Sequence, residues 1–108
     1  MRAPNKVKIG GHIFSIKYFE TTDPSREFGL YQASANRIEL QKGLSAHQER
    51  ATLLHEILHG ICYGSGLSGK LGKALEEDVV IAFESNLYQV IRDNPKLIKY
   101  LTERVNDD

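Results

Sequence analysis

Leu53-Leu54-His55-Glu56-Ile57-Leu58-His59-Gly60-Ile61-Cys62 is the stretch around which the rest of the chain can be read. It is mostly apolar, and helix signals flank it. Ser45 fits an N-cap, and Gln48 stands where the second half of a capping box belongs. Gly64 is a natural stop. A helix is therefore expected from Ala46 to about Tyr63, with Leu54, Ile57, Leu58 and Ile61 as its apolar stripe. On such a helix His55 and His59 lie on one face, one turn apart. Two imidazoles so placed can grip one metal ion from the same side. Glu56, the next residue after the first histidine, stands close enough to act as a base toward water at that metal.

The chain has 108 residues, with 14 Lys+Arg against 14 Asp+Glu and a formal net charge of zero. Residues 1–108 are expected to form one domain. The balanced charge and the lack of a basic run point away from a nucleic-acid partner. No apolar stretch approaches the ~20 residues that span a bilayer, so no membrane partner is expected. The opening Met1-Arg2-Ala3-Pro4-Asn5-Lys6 lacks the apolar segment of a secretory signal. Cys62 is the one cysteine and cannot form an internal disulfide. Together these features lead to an expected cytoplasmic location.

Upstream of the helix the periodicity changes to that of strands. Val7 to Glu20 reads as two strands around the turn signal Gly10-Gly11. Thr22-Asp23-Pro24-Ser25 reads as a loop. Phe28 to Ala33 and Arg37 to Gln41 form a second strand pair around Ser34-Ala35-Asn36. Downstream, Gly64 to Gly72 is rich in glycine and serine and reads as a connection that could rim a site. A second long helix is expected from about Lys73 to Arg92. Asn94 as N-cap and Pro95 at the first helical position then restart a short third helix, with Leu97, Ile98 and Leu101 turned inward. The expected class is α+β: a small antiparallel sheet of three or four strands packed on the His55–His59 helix, with an acid-bearing second helix and a short C-terminal one.

Catalytic zinc usually takes three protein ligands and keeps a position for water. No histidine follows His59, and the acids of the second helix, Glu76, Glu77, Asp78 and Glu84, are the candidates weighed for a third ligand. On a helical wheel the apolar centre of Leu75 to Ile91 falls roughly 15° from Glu76, roughly 65° from Glu84 and roughly 85° from Glu77. A carboxylate on a buried face is costly unless something cationic meets it. Glu76 is thus the expected third ligand, with Glu77 as the alternative. Acids in a first helical turn also complement the helix dipole without any metal. Cys62 falls near the histidine face, but a buried thiol is its expected role. His12 and His47 are expected at the surface. Tyr31, Tyr63 and Tyr88 are available as donors to an oxyanion, and the residues do not choose among them. Arg37 to Gln41 is the strand expected to offer an edge to an extended peptide.

The His55-Glu56-Ile57-Leu58-His59 pattern, with Leu75-Glu76-Glu77-Asp78-Val79 opening a second helix and Leu87 to Pro95 closing it, resembles the minimal zincin metallopeptidases. It is similar to the small Glu-liganded group, which includes ImmA/IrrE-like and SprT-like domains and short phage- and prophage-encoded proteins. The resemblance implies one Zn²⁺ held by His55, His59 and a glutamate. It implies Glu56 as general base and acid, and a peptide or protein as substrate. The chain departs from the larger members, which carry an aspartate four residues after the ligand glutamate. Here Val80 follows Glu76 at that distance. The alternative expectation is a catalytically idle metal-binding or interaction module of phage origin.

Overall fold

The computed structural model describes residues 2–106. Strand β1 (Lys6–Ile9) turns through Gly10-Gly11 into β2 (His12–Phe19). Ile9 pairs with His12, so the turn is two residues long, and Gly10 takes φ +61°. Such left-handed backbone is the reason glycine belongs there. Strand β3 (Gly29–Gln32) reaches β4 (Arg37–Gln41) through a 3-10 turn at Ala33–Ala35 and Asn36, whose φ is 46°. Asparagine tolerates that region better than most residues.

These strands form one sheet in the order β1-β2-β4-β3. The class is α+β, but the sheet is mixed rather than antiparallel throughout. β2 and β4 run parallel, in register from Ser15↔Arg37 to Phe19↔Gln41. The cause lies in the connection 20–28, which is too long for a hairpin loop. It carries the chain one strand-width past β2 before β3 is laid down. β4 then returns from β3 by a short hairpin and fills the gap, necessarily parallel to β2. The edges of the sheet are therefore β1 and β3. The strand Arg37–Gln41, expected to present an edge, is interior and has no unpaired side.

Phe14 and Ile16 of β2 and Ile38 and Leu40 of β4 alternate onto one face and are buried there with Ile9. Helix α1 (Ala46–Gly64) covers this face through Leu53 and Ile57. Its start is as expected: the Gln48 N–H donates to Ser45 Oγ at 3.2 Å. Gly60 lets the helix sit close, since a Cβ there would stand 2.9 Å from Ile9 Cδ1.

The remaining helices are α2 (Leu67–Leu71), α3 (Lys73–Asp93) and α4 (Pro95–Thr102). The glycine-rich connection thus holds a one-turn helix, bounded by Gly66 and Gly72 at φ +82° and +76°. α3 lies across α1, and α4 packs chiefly against α3. Two expectations fail at α4. Asn94 does not cap it: its Nδ2 donates back to the Val90 carbonyl at 2.9 Å. Leu97 and Leu101 do not turn into a core, and Leu101 is 65% exposed. α1 already covers the sheet's apolar face and α3 lies beyond it, so α4 has no apolar surface of the sheet within reach. No helix among the described residues is long and apolar enough to cross a membrane.

Gly29 marks the tightest approach of β3 to α1. A Cβ there would stand 2.6 Å from Thr52 Cγ2. Thr52 cannot swing aside freely, because its Oγ1 donates to the Gln48 carbonyl at 2.7 Å. Gly29→Ala should therefore destabilise the fold by about 1–3 kcal/mol, the usual cost of overpacking. Gly69→Ala, with nothing within 4 Å of the new methyl, should be neutral or gain up to ~1 kcal/mol in helix propensity. Urea unfolding of the two variants checks this, and equal midpoints would contradict the packing described.

Candidate metal centre

α1 and α3 run antiparallel, so the earlier histidine of α1 meets the later glutamate of α3. The His55 and His59 rings lie with centroids 4.9 Å apart. Glu77 reaches both. Its Oε1 is 3.0 Å from His55 Nε2 and its Oε2 is 3.3 Å from His59 Nε2. The outer ring nitrogens have partners of their own. Glu84 Oε1 lies 2.9 Å from His55 Nδ1, and Glu76 Oε2 lies 2.6 Å from His59 Nδ1. The second Glu76 oxygen accepts from Ser68 Oγ of α2. Burial pushes the Glu76 carboxyl upward, but the Ser68 and His59 bonds outweigh it and leave it below the usual carboxylate range.

His55, His59 and Glu77 could hold a metal ion: one donor atom from each lies within 4.8 Å of the others. The fit can be judged from the donor chemistry. Zinc–ligand bonds of about 2.0–2.2 Å in a tetrahedron put neighbouring donors about 3.3 Å apart. Glu77 stands 3.0 Å and 3.3 Å from the two Nε2 atoms through different oxygens, so the three side chains are near enough to converge on one ion. Two imidazoles and one carboxylate would leave a four-coordinate ion one further position. The Glu77 side chain is 47% exposed, so solvent has access from that side.

Glu76, the expected third ligand, is thus placed on the far nitrogen of His59, and Glu77 stands between the two Nε2 atoms. The apolar centre of the α3 wheel is not the face that α3 buries. In the structure α3 is rotated so that Val80, Glu77 and Glu84 face α1, while Phe83 stands outside at 58% exposure. The Glu77–Glu84 spacing, two turns on one stripe, was the signal that could have found this pair.

Glu56 is buried beneath the histidines and lines a cavity of about 410 Å³ with them. Desolvation raises its carboxyl above the ordinary range, with His55 and His59 pulling the other way. No hydrogen bond or ion pair among the described residues engages it. The Gly29 backbone presses close: a Cβ there would lie 3.1 Å from Glu56 Oε2. The outer wall of the cavity is the loop Pro24 to Gly29, including Arg26, Glu27 and Phe28. Gly64–Gly72, the connection that could have rimmed the site, lies elsewhere. That segment does not line the cavity, and reaches the centre only through Ser68.

The other weighed residues lie elsewhere. Cys62 is buried and outside the metal group, and burial pushes its thiol up. His12 and His47 are exposed. None of Tyr31, Tyr63 and Tyr88 lines the cavity. Tyr31 stacks on Phe14 at 5.4 Å, and the Tyr88 hydroxyl lies 3.0 Å from His47 Nδ1.

Calorimetric titration with Zn²⁺ should rank the two neighbouring acids. Glu76→Gln should weaken binding by about 10–100-fold, the usual effect of losing a ligand's hydrogen-bond partner. Glu77→Gln should weaken it further. The reverse order would contradict the placement of Glu77 between the Nε2 atoms. No protein-family model matches the chain, and no curated protein or solved structure matches it significantly.

Proposed function

We propose that the chain is a zinc-dependent metallopeptidase. The observation that carries this reading is the meeting of His55 Nε2, His59 Nε2 and the Glu77 carboxylate at the mouth of a cavity into which Glu56 opens. In this reading those three side chains hold Zn²⁺. Glu76 and Glu84 each accept a hydrogen bond from the Nδ1–H of one ligand histidine, which fixes its tautomer and raises its basicity. They fill the role for which the sequence offered no aspartate four residues after the ligand.

A zinc ion, when bound, supplies a Lewis acid that lowers the pKa of water. The remaining work falls to the chain. Glu56 accepts a proton from the attacking water and delivers it to the leaving amine. Its seat against Gly29 holds the carboxylate on the wall of the cavity that the histidines share. β3 offers the substrate an edge. The Gln41 N–H donates to the Phe28 carbonyl at 2.8 Å. By the alternation of an antiparallel pair, the backbone groups of Leu30 and Gln32 also face β4, and those of Gly29 and Tyr31 face outward. An extended peptide can pair with these outward groups, and Gly29 would then hold it beside Glu56.

A metal-binding or interaction module without activity is the second reading, favoured by the apolar side chains exposed along α4. Glu56 separates the two, because a module of that kind has no use for an unengaged base under its metal. Glu56→Gln should retain the same zinc content as the native chain and lose about 10²–10⁴-fold in hydrolysis of an unfolded protein such as casein. A zinc-loaded native chain that cleaves no faster than the variant would overturn the enzyme reading.

A further inference from the structure

We propose that Ser68 is a positioning residue for the metal centre, acting through Glu76 on His59. This rests on the metal reading above and adds a residue that lies outside the cavity. Glu76 touches His59 with one oxygen and Ser68 with the other. A glutamate side chain has several rotatable bonds, and holding it in one rotamer costs conformational entropy. The backbone of α3 therefore does not by itself keep this carboxylate on Nδ1. Among the described residues, Ser68 is the other group that engages it.

The chain also fixes where Ser68 stands. The Gly72 N–H donates to the Ser68 carbonyl at 3.0 Å, and the Glu76 N–H donates to the Gly72 carbonyl at 3.0 Å. These two bonds carry the end of α2 directly onto the start of α3 and set the hydroxyl over the Glu76 side chain. The two histidines are treated differently. Glu84, on His55, lies in mid-helix and has no such hydroxyl partner among the described residues. Glu76, in the first turn of α3, receives one from a separate element. The hydroxyl bond to a carboxylate is charge-assisted and directional. It leaves the other oxygen aimed at the ring, which holds the His59 plane and presents Nε2 to the metal.

The test is zinc affinity measured by competition with a chromophoric chelator, on native protein, Ser68→Ala, Ser68→Thr, Glu76→Gln and the double variant. Ser68→Ala should bind zinc about tenfold more weakly. Ser68→Thr, which keeps the hydroxyl, should recover most of that loss. Adding Ser68→Ala to Glu76→Gln should weaken binding no further, because the hydroxyl acts only through the carboxylate. Metal-free unfolding midpoints should agree between native and Ser68→Ala protein; if the alanine variant does not fold, Ser68→Gly takes its place in the cycle. Native affinity in Ser68→Ala, or equal losses in the presence and absence of the Glu76 carboxylate, would overturn the proposal while leaving the metal reading intact. Native protein that binds no zinc would overturn both.

Discussion

Everything at the centre of this molecule depends on carboxylates of one helix meeting the imidazoles of another. Each of the four ring nitrogens of His55 and His59 faces a glutamate oxygen from α3. Glu56 beside them is itself buried, and beyond that desolvation Glu27 and Glu77 push its carboxyl further up, against the pull of His55 and His59. Carboxylates so close repel one another, and partial burial makes the repulsion worse. A cation among them would relieve that repulsion, and a metal ion held by His55, His59 and Glu77 would place its charge where Glu77 already reaches both rings.

The rest of the fold explains why the rings are where they are. The sheet buries a small cluster, Ile9, Phe14, Ile16, Ile38 and Leu40, under Leu53 and Ile57 of α1. Gly60 and Gly29 remove the side chains that would hold α1 off the strands. With one side of α1 seated in this way, the opposite side carries His55 and His59 toward α3, and Glu56 falls between the two at the cavity floor. α3 itself has little apolar anchoring, since Val80 is its one buried residue. The His–Glu contacts that form the centre therefore also help to hold this helix on α1.

Much of this was legible in the residues. The period of Ala46 to Gly64, the Ser45 cap and the Gly10-Gly11 turn each have local causes, and they appear where local causes put them. The pairing of His55 with His59, and Glu56 beside them, follows from helix geometry alone. What was not legible depends on how elements meet. The rotation of α3 sets Glu77 against Glu76, and it is decided by fit against α1 rather than by the apolar stripe of α3. Phe83 shows this most directly, being apolar and yet outside. The parallel pairing of β2 and β4 comes from a loop that skips a strand, and no alternation in Arg37 to Gln41 reports it. The exposure of Leu97 and Leu101 likewise reflects a face already covered by α1, not any property of α4.

The most direct measurement is a crystal structure of the zinc-loaded protein with diffraction recorded on both sides of the zinc absorption edge. One anomalous peak should lie within about 2.2 Å of His55 Nε2, His59 Nε2 and a Glu77 oxygen, with Glu76 and Glu84 remaining on the Nδ1 atoms. A peak coordinated through Nδ1, or by Glu76 in place of Glu77, or closed by a fourth side chain, would contradict the account.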